Sequence, residues 1–376
     1  MKLLFFAFTV IGVPFLISFA LTPLVRMLAV RRGIEDAPAP PRKQHSNPTP
    51  LLGGVAIFFS FIGSIAALFI LQQVFHLVFF ELCEKFGDVT ACASVPGESI
   101  VFAISLALLI LLIGGILDDL YHLPPGLQII WPILAAAIAV FGGVSQDNIT
   151  NPLYFLGLSF DPLIHLNHWT IFVFNVPITF FSDFFAFCWI MVIMYTTKLL
   201  DGLNGLVSGI TIIGGVILFI AGNALGQGLP AILALILASA YLGFLPYNFK
   251  GQIFLGESGS TIAGFLLGSI ALLGPAKISI TFLILGIPIL DLLWVSYERI
   301  VKAKKSPFQG DLRHMHFKLV ERGLSSRQAV VALWIISSSF GLLGLFLQGF
   351  GQWILVAALL GAMLFLVRVT GSRGAG

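Results

Sequence analysis

The chain has 376 residues, of which 58% are hydrophobic and only 10% charged, with a formal net charge of +3 and a mean hydropathy of +1.02. That balance excludes a soluble globular protein, and no soluble domain can be cut from the chain. It defines an all-α polytopic membrane protein.

The apolar runs predict about eleven transmembrane helices, each near the ~20 residues needed to cross ~30 Å of hydrocarbon. In chain order they fall near 3 to 25, 51 to 72, 99 to 117, 127 to 143, 180 to 199, 205 to 222, 230 to 246, 259 to 274, 279 to 300, 328 to 347 and 352 to 369. The first runs on to Arg26 without a small-residue cleavage site, so it reads as a retained helix rather than a signal peptide. The ninth carries Pro288 and Asp291 inside its apolar run, and a kink or break is expected there.

Alternating these spans places all Lys and Arg residues except Lys2, Lys85 and Lys277 on one face. By the positive-inside rule that face is cytoplasmic, with the N-terminus outside and the C-terminus inside. On the outer face Cys83 and Cys92 either pair or remain free thiols, and Cys188, within a span, reads as a small buried hydrophobe. Segment 144 to 179 alternates apolar residues between prolines and reads as a short hairpin or an interfacial helix. The Asn148 sequon decides nothing, and His76, His165 and His168 read as non-catalytic.

The polar clusters instead return to the inner face. In GGILDDLYHLPP, 114 to 125, an apolar helix runs into Asp118 and Asp119 and stops at paired prolines. Such acids either mark a solvated helix end or meet something positive, a divalent cation being the obvious candidate. The loop DAPAPPRKQHSNPTPLLGG presents Lys43 and His45 from a proline-rich turn, in a form suited to a phosphate. TTKLLDGLNGLVSG sets Asp201 and Asn204 three apart beside Lys198, where they either cap a turn or face a cation, ribose or base. In NFKGQIFLGESGSTIAG, Glu257 sits between glycines at a helix start, which suits a metal and phosphate site. Asp291 needs a polar cavity or a partner, and Arg299 is the expected one. Beyond it His314 and His316, amid Lys305, Asp311, Arg313 and Lys318, form a patch able to grip a pyrophosphate. Zinc is disfavoured, because Cys83 and Cys92 lie on the opposite face.

Taken in order, DAPAPPRKQHSNPTPLLGG, ILDDLYHL, LLDGLNGLVSG, FLGESGS, PILDLLWVSYER and SPFQGDLRHMH resemble the polyprenyl-phosphate N-acetylhexosamine-1-phosphate transferases over residues from about 30 to 325. The chain looks more like the enzymes that charge undecaprenyl phosphate with N-acetylglucosamine phosphate than like the phospho-N-acetylmuramoyl-pentapeptide transferase. SPFQGDLRHMH lacks the latter's run of three histidines.

The resemblance implies a single integral membrane transferase domain over 1–376, multi-pass in the inner (cytoplasmic) membrane, with its active site in cytoplasmic loops. The implied reaction joins a UDP-sugar to undecaprenyl phosphate and releases UMP, with magnesium or manganese as cofactor and no nucleic-acid partner. The product would start lipid-linked glycan synthesis for cell wall, lipopolysaccharide or O-antigen; a homodimer stays open. Residue by residue, the resemblance implies Asp118, Asp119 and His314 as catalytic, with Asp118, Asp119 and Glu257 holding the metal. Lys43, His45, Asp201, Asn204, Arg313 and His316 would bind substrate. Four positions depart from the family: Glu257 replaces an Asp, Lys198 an Asn, Gln128 a Lys and Phe317 a His. Direct attack by the lipid phosphate and a covalent aspartyl phosphate are both compatible with these residues. A transporter for an anionic substrate and a catalytically inactive family member are the readings of other classes.

Overall fold

The computed structural model of the chain describes residues 2–38, 48–74, 97–151, 154, 159–161, 163–167, 169–173, 176–274, 277–302, 304, 314–347 and 349–371. Cys83, Cys92, His76 and His168 lie outside them.

The helices are α1 (Phe5–Arg32), α2 (Gly53–Val74), α3 (Gly97–Tyr121), α4 (Ile130–Phe141), α5 (Phe180–Leu200), α6 (Leu206–Ala224), α7 (Gly228–Asn248), α8 (Gly256–Leu272), α9 (Lys277–Ile284), α10 (Gly286–Tyr297), α11 (Met315–Glu321), α12 (Ser326–Phe346) and α13 (Phe350–Gly371). Each predicted span coincides with helix, but fewer meet the demands of a crossing. Among the described residues seven helices are long and apolar enough, α1, α2, α3, α5, α6, α7 and α12, and α9 with α10 make an eighth if the bent pair counts as one. The apolar helices Pro125–Phe141 and Phe350–Phe365 are shorter, and α8 has only 17 residues. An apolar run reports burial, whether in lipid or among other helices, so the described helices support a polytopic membrane protein without fixing eleven crossings.

The ninth run breaks as expected. α9 and α10 meet at 73° across Leu285. Pro288 has no N–H to give the Ile284 carbonyl, so the helix ladder is interrupted at that point. A Cβ on Gly286 would collide with the Leu359 side chain of α13, so the glycine lets α13 pack against the break.

Small residues set the centre. In α8, Gly256 and every residue from Ser258 to Leu272 are buried, and the helix packs against α5, α3, α2, α6 and α7. Gly54 of α2 and Gly115 of α3 both lie against Ser258, and Gly264 of α8 lies against the Met194 backbone of α5. Side chains there would push the helices apart, so this glycine contact brings the starts of α2 and α8 and the end of α3 to one point.

The described residues also form three small antiparallel strand pairs. β1 (Glu35–Asp36) pairs with β2 (Thr49–Pro50), β3 (Asn148–Thr150) with β4 (Leu163–His165), and β5 (Thr170–Val173) with β6 (Val176–Thr179). Within segment 144 to 179 the described residues form the β3–β4 and β5–β6 pairs, and Tyr154 is helical. Cys188 on α5 is a free, half-buried thiol rather than a fully buried one.

Candidate active site

α3 ends where Asp118 turns its carboxylate back on the chain. Asp118 Oδ1 accepts the Leu123 N–H at 3.0 Å and the Gln128 side-chain amide at 2.8 Å. Asp119, 8% exposed, points the other way. Its Oδ1 accepts the Glu257 N–H from the first turn of α8 at 3.1 Å, while its Oδ2 is buried without a hydrogen-bond partner. Two adjacent acids thus do different things, one closing a turn and the other joining two helices.

Gly256 makes that junction. It holds φ +72°, and a Cβ there would collide with Asp119 Oδ2. Gly256→Ala is expected to lower stability by ~2 kcal/mol, since a non-glycine residue in this backbone region costs ~1–3 kcal/mol before any collision. A chemical-denaturation midpoint in detergent checks this, and an unchanged midpoint would contradict the crowding.

The Glu257 carboxylate forms an ion pair with Lys198 Nζ of α5. The same ammonium donates to Gln128 Oε1 at 3.0 Å, and Gln128 Nε2 donates to Asp118 and to the Leu123 carbonyl, each at 2.8 Å. An unbroken path therefore runs from Asp118 through Gln128, Lys198 and Glu257 to Asp119. Asp118, Gln128 and Glu257, with Gly114, Gly115 and Trp131, line a small cavity.

The turn after α5 brings in the next acid. Burial, and then the neighbouring Glu257 carboxylate, push Asp201 up to about 7. The turn is anchored by Asn248 at the end of α7, whose Oδ1 accepts from the Gly205 N–H at 3.0 Å and the Ser208 hydroxyl at 2.9 Å, and whose Nδ2 donates to the Ile253 carbonyl at 3.0 Å. Asn204 is exposed on this turn and lies against Gly251, whose φ is +68°.

The histidines approach the same turn. A Cβ on Gly202 would collide with His316 Nε2 and crowd Phe317, so glycine admits the imidazole. His316 is buried and stacks parallel to His314 at 5.8 Å between ring centroids. Burial, and then His314, push His316 down to about 3, so at neutral pH it is a neutral hydrogen-bonding group. Its Nε2 is buried without a partner. The partner found for Asp291 is His314, expected to be Arg299: Asp291 Oδ2 meets His314 Nδ1 at 2.8 Å, and Oδ1 accepts the Met315 N–H at 3.1 Å.

Of the residues singled out in the sequence, Asp118, Asp119, Asp201 and Glu257 are linked by contact or by charge, and His316 joins them through Gly202. Lys43, His45 and Arg313 lie outside the described residues. Among the described residues no three His, Cys, Asp or Glu side chains gather as a ready-made metal group. The sequence marked Lys198 as a neighbour of Asp201 and a departure and Gln128 only as a departure, and it gave no sign of Asn248. A lone amide at a helix end carries no pattern that would have exposed it.

The fold and the site together define a polytopic helical membrane protein with a carboxylate-rich centre where α3, α5 and α8 meet. Residues 101–275, which span that centre, match the family model described as glycosyl transferase family 4. The chain is 28% identical to a probable undecaprenyl-phosphate N-acetylglucosaminyl 1-phosphate transferase of Bacillus subtilis, over 93% of its own length and 88% of that protein. It is also 28% identical to a decaprenyl-phosphate N-acetylglucosaminephosphotransferase of Mycobacterium tuberculosis, over 87% and 79% of the two chains. A phospho-N-acetylmuramoyl-pentapeptide-transferase of Staphylococcus aureus matches at 30% over 46% of this chain and 54% of that protein. The names of these relatives fall in the class that the motif resemblance points to.

Proposed function

We propose that the protein transfers an N-acetylhexosamine-1-phosphate, with N-acetylglucosamine the favoured sugar, from a UDP-sugar to a polyprenyl phosphate at the cytoplasmic face of the inner membrane. The observation that carries this reading is the contact path joining Asp118, Asp119, Lys198 and Glu257. Those residues come from segments far apart in the chain, and no need of packing alone gathers three acids and a lysine.

In this reaction an oxygen of the lipid phosphate attacks the sugar-linked phosphorus of the UDP-sugar. A new P–O bond forms, the bond to UMP breaks, and lipid pyrophosphoryl sugar remains. Two anions must meet, and their repulsion is the barrier the site has to lower.

The acids fit magnesium. It is a hard cation that takes one or two carboxylates and completes its shell with phosphate oxygens and water. The partnerless Asp119 Oδ2, with Glu257 and Asp118, supplies oxygens of that kind, although among the described residues no three such side chains form a preassembled cage. When bound, the ion would neutralise phosphate charge and stabilise the leaving UMP. The chain's own groups do the rest: Asp118 and Asp119 orient the lipid phosphate, His316 offers a neutral hydrogen bond and Asp201 a carboxyl beside the Glu257 carboxylate. An apolar cavity of about 380 Å³ beside α10, lined by Leu290, Leu293, Trp294, Tyr297, Leu360 and Met363, suits a polyprenyl tail.

The test is direct. Purified protein given a radiolabelled UDP-sugar, magnesium and undecaprenyl phosphate should move label into lipid and release UMP. A transporter or an inactive member would leave the label in water, and that result removes the proposal. Glu257→Asp should retain turnover within ~10-fold, because the carboxylate survives and positioning alone is altered. Loss as complete as that of Glu257→Ala would show that the backbone around Gly256 is fitted to the longer side chain.

A further inference from the structure

We infer that Lys198 and Gln128 form a single positioning unit of the transfer site, in which the Lys198 ammonium, directed by the Gln128 amide, holds Glu257 and Asp118 in their relative places. The inference rests on the proposed reaction and adds residues the motif assignment leaves without a role.

The geometry leaves the pair little freedom. Lys198 Nζ meets Glu257 Oε1 and donates to Gln128 Oε1, and its side chain is 17% exposed against 16% for that of Glu257. Gln128 uses its one oxygen and its amide nitrogen at once: Oε1 accepts from Lys198, and Nε2 donates to Asp118 Oδ1 and the Leu123 carbonyl. A flipped amide would set donor against ammonium and acceptor against two oxygens, so the lysine fixes its orientation. One cation thereby touches Glu257 directly and reaches Asp118 through one amide. Among the ion pairs of the described residues, it is the non-histidine cation that meets an acid of this site.

The two positions are 70 residues apart and touch, one supplying a cation and the other an amide. The double substitution Gln128→Lys/Lys198→Asn swaps the cation and the amide across that hydrogen bond and keeps one of each.

The experiment compares the full-length parent, Lys198→Met, Gln128→Lys and Gln128→Lys/Lys198→Asn in nanodiscs. Transfer kinetics and unfolding midpoints are measured, with a magnesium titration of the midpoint. Lys198→Met is expected to lower kcat ~30-fold with KM within ~3-fold, as befits a group positioning charge for the transition state. It should also bring the magnesium response to lower concentration, because no ammonium then opposes a dication at Glu257. Gln128→Lys alone sets two cations together and should lose a similar factor, while the double substitution returns kcat to within ~5-fold of the parent, a non-additivity expected only of partners in contact. A double variant no better than the worse single, or Lys198→Met with parental kcat and magnesium response, overturns the inference. A parent without transfer activity would sink the proposed reaction instead. The unfolding midpoints would then still decide whether the pair acts as a unit, since recovery in the double variant supports it and absence of recovery refutes it.

Discussion

Asp119→Asn is expected to lower turnover at least ~100-fold without unfolding the protein, the scale seen when a positioned acid or charge stabiliser is lost. Asparagine has the same shape and keeps an oxygen that can accept the Glu257 N–H, so the link between α3 and α8 survives. What disappears is the charge, together with the second oxygen, Oδ2, buried with no partner of its own. A buried carboxylate oxygen without a hydrogen bond costs stability, and a protein that keeps one has a use for it. Asp118→Asn should lose a comparable factor through a different route: its Oδ1 organises Leu123 and Gln128, and the amide replacement leaves that turn largely intact while removing the charge. Radiolabel transfer into lipid measures both, with the unfolding midpoint as the control for folding. Parental turnover in both variants would mean that the chemistry lies elsewhere.

The acids were legible in the sequence because hydrocarbon makes charge expensive. Asp118, Asp119, Asp201, Glu257 and Asp291 each interrupt or end an apolar run, so composition alone exposes them. Their partners were not legible, since a contact between α3 and α8 or between residues 128 and 198 leaves no periodic trace along the chain. Arg299 was expected to pair with Asp291 because it lies two turns on in the same run, yet His314, 23 residues away, is the partner found. The bend at Leu285 and the glycine contact of α2, α3 and α8 explain such differences: they set the direction of helices, which an apolar pattern cannot encode. Burial among helices also looks like a span in the sequence, because α8 is apolar and enclosed by other helices.

Asp291→Asn and Asp291→Ala should both cost at least ~100-fold in turnover, but for separable reasons. Asp291 and His314 are buried, at 6% and 5% exposure, and Asp291 uses both oxygens, one for His314 Nδ1 and one for the Met315 N–H. An ionised carboxylate only accepts, so it holds the proton of His314 on Nδ1 and leaves Nε2 free to accept from, or act on, a substrate. Asp291→Ala strands that nitrogen and the Met315 N–H, and each buried orphan costs ~1–3 kcal/mol, so stability should fall with activity. Asp291→Asn instead can still accept from Met315 while offering an N–H to His314, which forces the proton onto Nε2. Its unfolding midpoint should stay near that of the parent although its turnover falls as far as that of His314→Ala. Measuring the midpoint and the turnover of all three variants separates the two effects. If Asp291→Asn turns over like the parent, the tautomer of His314 is irrelevant and Asp291 serves only to anchor the start of α11 to α10.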